Sequence, residues 1–246
     1  NPVLLSAIVL VKINLTSSGV CGPIIVNLKQ GTYNEQLTLP GIAGLSETNF
    51  IKFVGLPEDN SQVVLTYTPA ADAEDKYVLN LNGVENIHFE NFTIQSSDTT
   101  ANMVINVESS SNVSFNEMNF ESAKTMSGSM LTVSKSADVE LTDNTFVGSA
   151  IQFAVTDTTT SLTIDNNQFL EFGISGISLR EAEDVFIRNN YLSTDTSKYL
   201  AVAIDLSNLH GDVDVLANSI YLKKGSAVRK GISLKQTSAS QILPVM

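Results

Sequence analysis

The sequence has no tryptophan, a single cysteine, two histidines and few charged residues of either sign. One thiol, Cys21, excludes an internal disulfide. Charged residues make up 16% of the chain against a usual share of about 25%. The 14 basic and 26 acidic residues leave a net charge of −12. A nucleic-acid partner is excluded by that balance, because neutralising phosphates takes clustered Lys and Arg. No apolar run reaches the roughly 18–20 residues of a membrane-spanning helix. The run Val3–Val11, broken by Ser6, has neither a basic flank nor a small-residue cleavage site. It is read as part of a capping segment over residues 1–22 rather than as a signal peptide. Disorder is excluded as well, since 43% of the residues are apolar and the mean hydropathy is +0.10. The polar share of these 246 residues is therefore carried by Ser, Thr and Asn.

What is present is a repeat. From Ile87 onward one phrase recurs: IHFENFTI at 87–94, VSFNEMNF at 113–120 and VELTDNTF at 139–146, then LTIDNNQF at 162–169, VFIRNNYL at 185–192 and VDVLANSI at 213–220. Its starts lie 26, 26, 23, 23 and 28 residues apart. Positions one, three and eight are apolar. A second alternating pair precedes each phrase, from Leu79/Leu81 through Ile105/Val107, Leu131/Val133, Phe153/Val155 and Ile177/Leu179 to Ile204/Leu206. A seventh pair, Ile232/Leu234, opens a coil that the chain leaves incomplete.

Period-2 alternation gives short strands with one buried face. A unit of this length holding about three such strands buries its apolar positions by stacking on the preceding unit, as solenoids do. Coils then lie about 4.8 Å apart and pair in parallel. The sixth position of the phrase changes from Phe92 and Met118 to Asn144, Asn167, Asn190 and Asn218. Asn suits tight turns, and its amide can bond the same amide one coil on, so this column is read as structural. The predicted fold is all-β: a parallel β-helix over residues 23–246, part of a longer chain, behind the N-terminal cap segment 1–22.

The V-x-I-x-x-N-x-F phrase with its preceding G-I-x-L-type strand resembles the right-handed parallel β-helix family of pectate lyases, polygalacturonases, pectin methylesterases and many surface proteins. The likeness runs over about residues 77–234. Upstream, the strings VCGP at 20–23 and GTYNEQ at 31–36 resemble the opening coils of large secreted, cell-surface β-helix proteins of Bacteroidota. This second resemblance implies secretion or surface attachment and a role in adhesion, with polysaccharide or other surface proteins as partners.

Chemistry on such a fold is expected on the outward face of a parallel sheet. Positions two and four of the phrase point outward, giving the pairs His88/Glu90, Ser114/Asn116, Glu140/Thr142, Thr163/Asp165, Phe186/Arg188 and Asp214/Leu216. Glu140, Asp165 and Arg188 put two carboxylates and a guanidinium on consecutive coils, the candidate groove for a sugar or a cation. The plain alternative is an Asp165–Arg188 surface pair, worth less than about 1 kcal/mol. Long connections at 95–104, 121–130, 193–203 and 221–231, against short ones at 147–152 and 170–176, predict a saddle across the central coils. His88 and His210 read as ordinary surface or turn residues.

A column just before each phrase, Asn86, Asn112, Asp138, Ser161, Asp184 and Asp212, has the character of turn capping. Calcium would need more converging oxygens than this spacing guarantees, so turn capping is the expectation, with no cofactor, and a calcium site is its alternative. The resemblance also sets tests for catalysis. Esterase-like chemistry would call for paired aspartates, an Arg and a stacking Trp, and Trp is absent. Hydrolase-like strings reduce to Leu209-His210-Gly211. The first expectation is therefore a non-catalytic secreted or cell-surface module for adhesion, glycan binding or scaffolding. Its alternative is a polysaccharide lyase, hydrolase or esterase with a cleft over the central coils. End-to-end stacking at the open apolar end after Leu234, or continuation into further domains, is a third expectation.

Overall fold

The computed structural model describes residues 19–56, 63–67, 76–96, 103–122, 128–195, 201–223, 229–235 and 241–242. Most of the cap segment 1–22 thus lies outside the described residues. Among those described there is no helix, and none is long and apolar enough to cross a membrane. Every inter-strand ladder is parallel, and the strands fall into three sheets of nine, eight and eight. Successive strands in the chain go to successive sheets, so each sheet is one face of a right-handed parallel β-helix. The predicted fold class is the observed one.

Coils are numbered here from their first-face strands. Coil 1 comprises Ile24–Leu28, Gly31–Asn34 and Leu37–Pro40. Coil 2 comprises Ile51–Gly55, Val63–Thr66 and Leu79–Asn82. The first-face strands of coils 3 to 8 are Glu85–Glu90, Ser111–Asn116, Ala137–Thr142, Thr159–Asp165, Ala182–Arg188 and His210–Leu216. Two coils therefore precede the first recognisable phrase.

The alternation in sequence becomes columns in space. Ile51, Ile87, Val113, Val139, Leu162, Val185 and Val213 follow one another on the first face, paired residue to residue. All are at most 1% exposed. Two phenylalanine stacks run inside. Phe53, Phe89 and Phe115 lie with centroids 5.3 and 5.1 Å apart. Phe120, Phe146 and Phe169, from the second face, lie 4.5 and 4.7 Å apart. Offset stacking contributes about 0.5–1.5 kcal/mol per pair beyond the area buried.

Corners between faces use left-handed dihedrals. Position five of the phrase carries one in Asn91, Glu117, Asp143, Asn166, Asn189 and Ala217, with φ between 52° and 59°. Each N–H of this column through Asn189 donates to a carbonyl one coil on, as from Asp143 to Asp165 (3.2 Å). The column before each phrase is left-handed too, at Asn86, Asn112, Asp138, Ser161 and Asp184. In coil 8 this role passes from Asp212 to Gly211, φ 65°, beside a register shift between Glu183 and Val185. A Cβ on Gly211 would come within 2.2 Å of Asp184 Oδ1, an approach only glycine allows.

The asparagines of position six turn inward. Nδ2 of Asn144 donates to Oδ1 of Asn167 (2.9 Å), Asn167 to Asn190 (3.0 Å) and Asn190 to Asn218 (2.9 Å). Each Oδ1 also accepts the backbone N–H of the preceding coil's ladder residue, at 2.9 Å. Each Nδ2 also donates to a backbone carbonyl, as Asn144 does to Phe115 and Asn167 to Leu141, both 2.9 Å. Asn144, Asn167 and Asn190 are 1% exposed. The tight-turn dihedral sits one residue earlier, so these amides act through hydrogen bonds alone.

Candidate functional site

The outward face of the first sheet carries two rows of side chains fixed by the register. Position two gives Lys52, His88, Ser114, Glu140, Thr163, Phe186 and Asp214 in order. Position four gives Val54, Glu90, Asn116, Thr142, Asp165, Arg188 and Leu216. Glu140 thus belongs to one row, opposite Thr163, and Asp165 to the other, opposite Thr142.

The three residues of the predicted groove are placed in different surroundings. Arg188 pairs with Asp214 rather than with Asp165, and its guanidinium lies 4.8 Å from the centroid of the Phe186 ring. Asp165 Oδ1 accepts a hydrogen bond from Nδ2 of Asn189 (2.9 Å). Glu140 lines a concavity. The diagonal explains the Arg188–Asp214 pair: an Arg in position four reaches the position-two carboxylate of the following coil. The short connections 147–152 and 170–176 join the second face to the third, so they do not frame these rows. Much of the four longer connections lies outside the described residues.

The concavity is a groove of about 380 Å³ over coils 2 to 5. Phe50, Lys52, His88, Glu90, Ser114, Asn116, Glu140 and Thr142 line it, above Phe89. Lys52 and Glu90 form an ion pair across two coils. Nδ1 of His88 and Oγ of Ser114 are 2.8 Å apart. The Phe50 ring meets the His88 ring edge-on at 5.6 Å. Thr142 Oγ1 donates to Asn116 Oδ1 (2.9 Å), which orients the Asn116 amide and leaves its Nδ2 as a donor. Burial, and after it the Lys52 ammonium, hold the His88 imidazole below its usual pKa. His88 is consequently neutral at pH 7.

The floor is rigid, because every lining side chain except Phe50, which precedes Ile51–Gly55, stands on a strand hydrogen-bonded to both neighbours. The groove offers a neutral imidazole, a hydroxyl pair, an oriented amide, a carboxylate beside an ammonium, one further carboxylate and an aromatic edge. Among the described residues no group of three His, Cys, Asp or Glu side chains is arranged to hold a metal ion.

Glu140 is the one groove residue in the sequence-derived set. The pairs His88/Glu90 and Ser114/Asn116 belong to the outward rows, but charge density in the sequence singles out Asp165 and Arg188. The signal available was the spacing of 26 residues that puts Ser114 on His88. Lys52 and Phe50 lie upstream of the first phrase and carried no repeat signal.

A family model described as the right-handed β-helix region matches residues 77–242. No curated protein matches. Among solved structures the chain is similar to an alginate lyase from Paenibacillus sp. str. FPU-7, at 12% identity over 96% of this chain and 95% of that one, with a TM-score of 0.49. It is similar also to the surface protein and adhesin PfbA of Streptococcus pneumoniae, at 10% identity over 90% and 91%, TM-score 0.36. An ι-carrageenase complexed to ι-carrageenan fragments is matched at 15% identity over 92% and 52%, TM-score 0.43. At these identities the likeness is one of fold.

Proposed function

We propose that this chain, which belongs to the right-handed β-helix family, is a glycan-binding module of a secreted or cell-surface protein, and that it binds through the first-face groove. One observation carries the reading: a preformed groove of about 380 Å³ lined by an aromatic edge and by hydrogen-bonding side chains on rigid strands. Sugars present closely spaced hydroxyls, each both donor and acceptor. Asn116, Ser114, Glu140 and the Lys52–Glu90 pair supply the complementary set at strand spacing, about 4.8 Å between coils. Preorganisation keeps the entropy of binding low, since no loop has to be ordered for these groups to meet a ligand.

A microarray of plant, algal and bacterial cell-wall polysaccharides tests this with the purified chain. The expected result is retention on a subset of glycans that Ser114→Ala/Asn116→Ala loses. No retention, or equal retention by the variant, overturns the reading.

A catalytic reading is favoured by one feature, the neutral, desolvated His88 bonded to Ser114 within the groove. A neutral imidazole at pH 7 is a competent general base. Incubation with the retained glycan distinguishes the two. Binding predicts an unchanged polymer length, and catalysis predicts new chain ends or released acyl groups that disappear with His88→Ala.

A further inference from the structure

The three outward faces differ in charge. The first carries Lys52, Glu90, Glu140, Asp165, Arg188 and Asp214, and the third carries Glu108, Arg180, Asp205 and Lys235. On the second face the outward positions of the eight strands hold one charged side chain, Glu121, which accepts a hydrogen bond from Gln95. From coil 5 onward these positions read Thr145 and Val147, Gln168 and Leu170, Tyr191 and Ser193, Ser219 and Tyr221. In a chain of net charge −12, the strands of four consecutive coils on this face carry no charged outward residue, and the exposed Asp195 and Lys223 follow only at the strand ends.

The end of this strip holds two exposed rings, Tyr191 at 42% and Tyr221 at 59%. Tyr191 is paired with Ser219 and Tyr221 with Ser193, so the tyrosines stand on adjacent coils and two residues apart along the strand. Steps of about 4.8 Å and 6.6 Å separate their Cα atoms by about 8 Å. Amide and hydroxyl groups flank both rings: Gln168 beside Tyr191 on the preceding coil, Ser193 beside Tyr221, and Ser219 on the coil after Tyr191.

We infer that this second face is a separate binding surface for an uncharged polysaccharide, one that lets a single chain bridge two glycans. Tyrosine presents a flat apolar ring with a polar tip, and the C–H face of a pyranose packs on such a ring while its hydroxyls bond neighbouring amides and hydroxyls. A strip without charge imposes no desolvation of ions when a neutral polymer lies on it. The net charge of −12 disfavours an anionic polymer. A second copy of this chain would meet the same repulsion. The ligand class is that of the groove reading, but the surface is different and stands or falls separately.

Native electrophoresis in gels cast with galactomannan, xyloglucan or mixed-linkage β-glucan tests it, using wild type, Tyr191→Ala/Tyr221→Ala, Ser114→Ala/Asn116→Ala and the combination. Both tyrosines are exposed, and matching melting curves establish that the variants fold. The expected result is retardation of wild type in at least one gel, weakened tenfold or more by the tyrosine changes and still present in the groove variant. Wild type running freely in all three gels, or the tyrosine variant retarded like wild type, overturns the inference. So does a dimer in sedimentation that the tyrosine changes dissociate, because the face would then be a self-contact. A groove variant that behaves like wild type while the tyrosine variant fails leaves this surface standing, and the array result for the groove variant decides the groove reading separately.

Discussion

Asn167 is bonded at both ends of its amide and in both directions along the helix. Replacing it with Ala strips the acceptor from the N–H and Nδ2 of Asn144, and the donor from the carbonyls of Leu141 and Asp165. Buried groups left unpaired cost about 1–3 kcal/mol each, so Asn167→Ala is expected to lower unfolding stability by about 3 kcal/mol in urea titration. Asn218, half-buried at the end of the ladder, should cost less than half as much. Equal losses at the two positions would mean that the ladder contributes no more than its side-chain volumes.

His88 supplies the pH dependence at this scale. Its folded pKa is lowered, by burial first and Lys52 second. As pH falls through the ordinary histidine range, about 6.5, the unfolded chain takes up a proton before the folded one does. Stability therefore drops on acidification through that range, and the effect vanishes at higher pH where both states are neutral. Lys52→Met removes the second cause and should raise the midpoint. The chain has two histidines, so the His88 ring resonance is assigned by deleting His210 and followed by NMR. An unchanged midpoint in Lys52→Met would contradict this account of the groove electrostatics.

At the scale of the strand and its column, sequence and structure agree where identity is repeated and diverge where it is not. Positions one, three and eight of the phrase are apolar in every copy, and they became the inner columns. The third-face pairs from Leu79/Leu81 to Ile204/Leu206 did the same. The left-handed corner residue was harder to read, since its column holds Asn, Glu, Asp and Ala and composition alone does not single it out. The asparagines next to it are the more conspicuous turn formers in the sequence. Coils 1 and 2 were faint because Ile51–Gly55 ends in Gly55, where a Cβ would lie 1.9 Å from the Asn91 carbonyl oxygen, and the phrase is broken there. The groove suffered from the same break, since Phe50 and Lys52 belong to that coil.

The phenylalanine stacks give this scale its own test. Phe146 lies between Phe120 and Phe169 and is fully buried. Phe146→Ala opens a cavity between two coils and should cost about 3–5 kcal/mol. Phe146→Leu, which retains most of the volume, should recover much of it in the same denaturation measurement. A loss below about 1 kcal/mol for the Ala variant would show that neighbouring coils close over the gap.

For the molecule as a whole, stability is set by neighbours along one axis. Each coil touches the one before and the one after, so an interior coil has two partners and a terminal coil one. Amide hydrogen exchange should accordingly give the largest opening free energies in coils 4 to 6 and smaller ones toward coils 1 and 8. Uniform protection would indicate all-or-none unfolding instead. The scarcity of charge has the same origin. Identical columns lie about 4.8 Å apart, and like charges stacked at that spacing repel. Where charges do occur in the outward rows, the register offers partners on the diagonal, as in Lys52–Glu90 and Arg188–Asp214. The composition thus made the solenoid legible, while the groove depended on which unlike residues the register happens to superpose.

Glycan binding in that superposed groove is the central claim, and isothermal titration of an oligosaccharide from the glycan retained on the array tests it most directly. Wild type and Ser114→Ala/Asn116→Ala should melt alike, with the variant binding at least tenfold more weakly, a loss of about 1.4 kcal/mol or more. Identical dissociation constants for two equally folded proteins would contradict it.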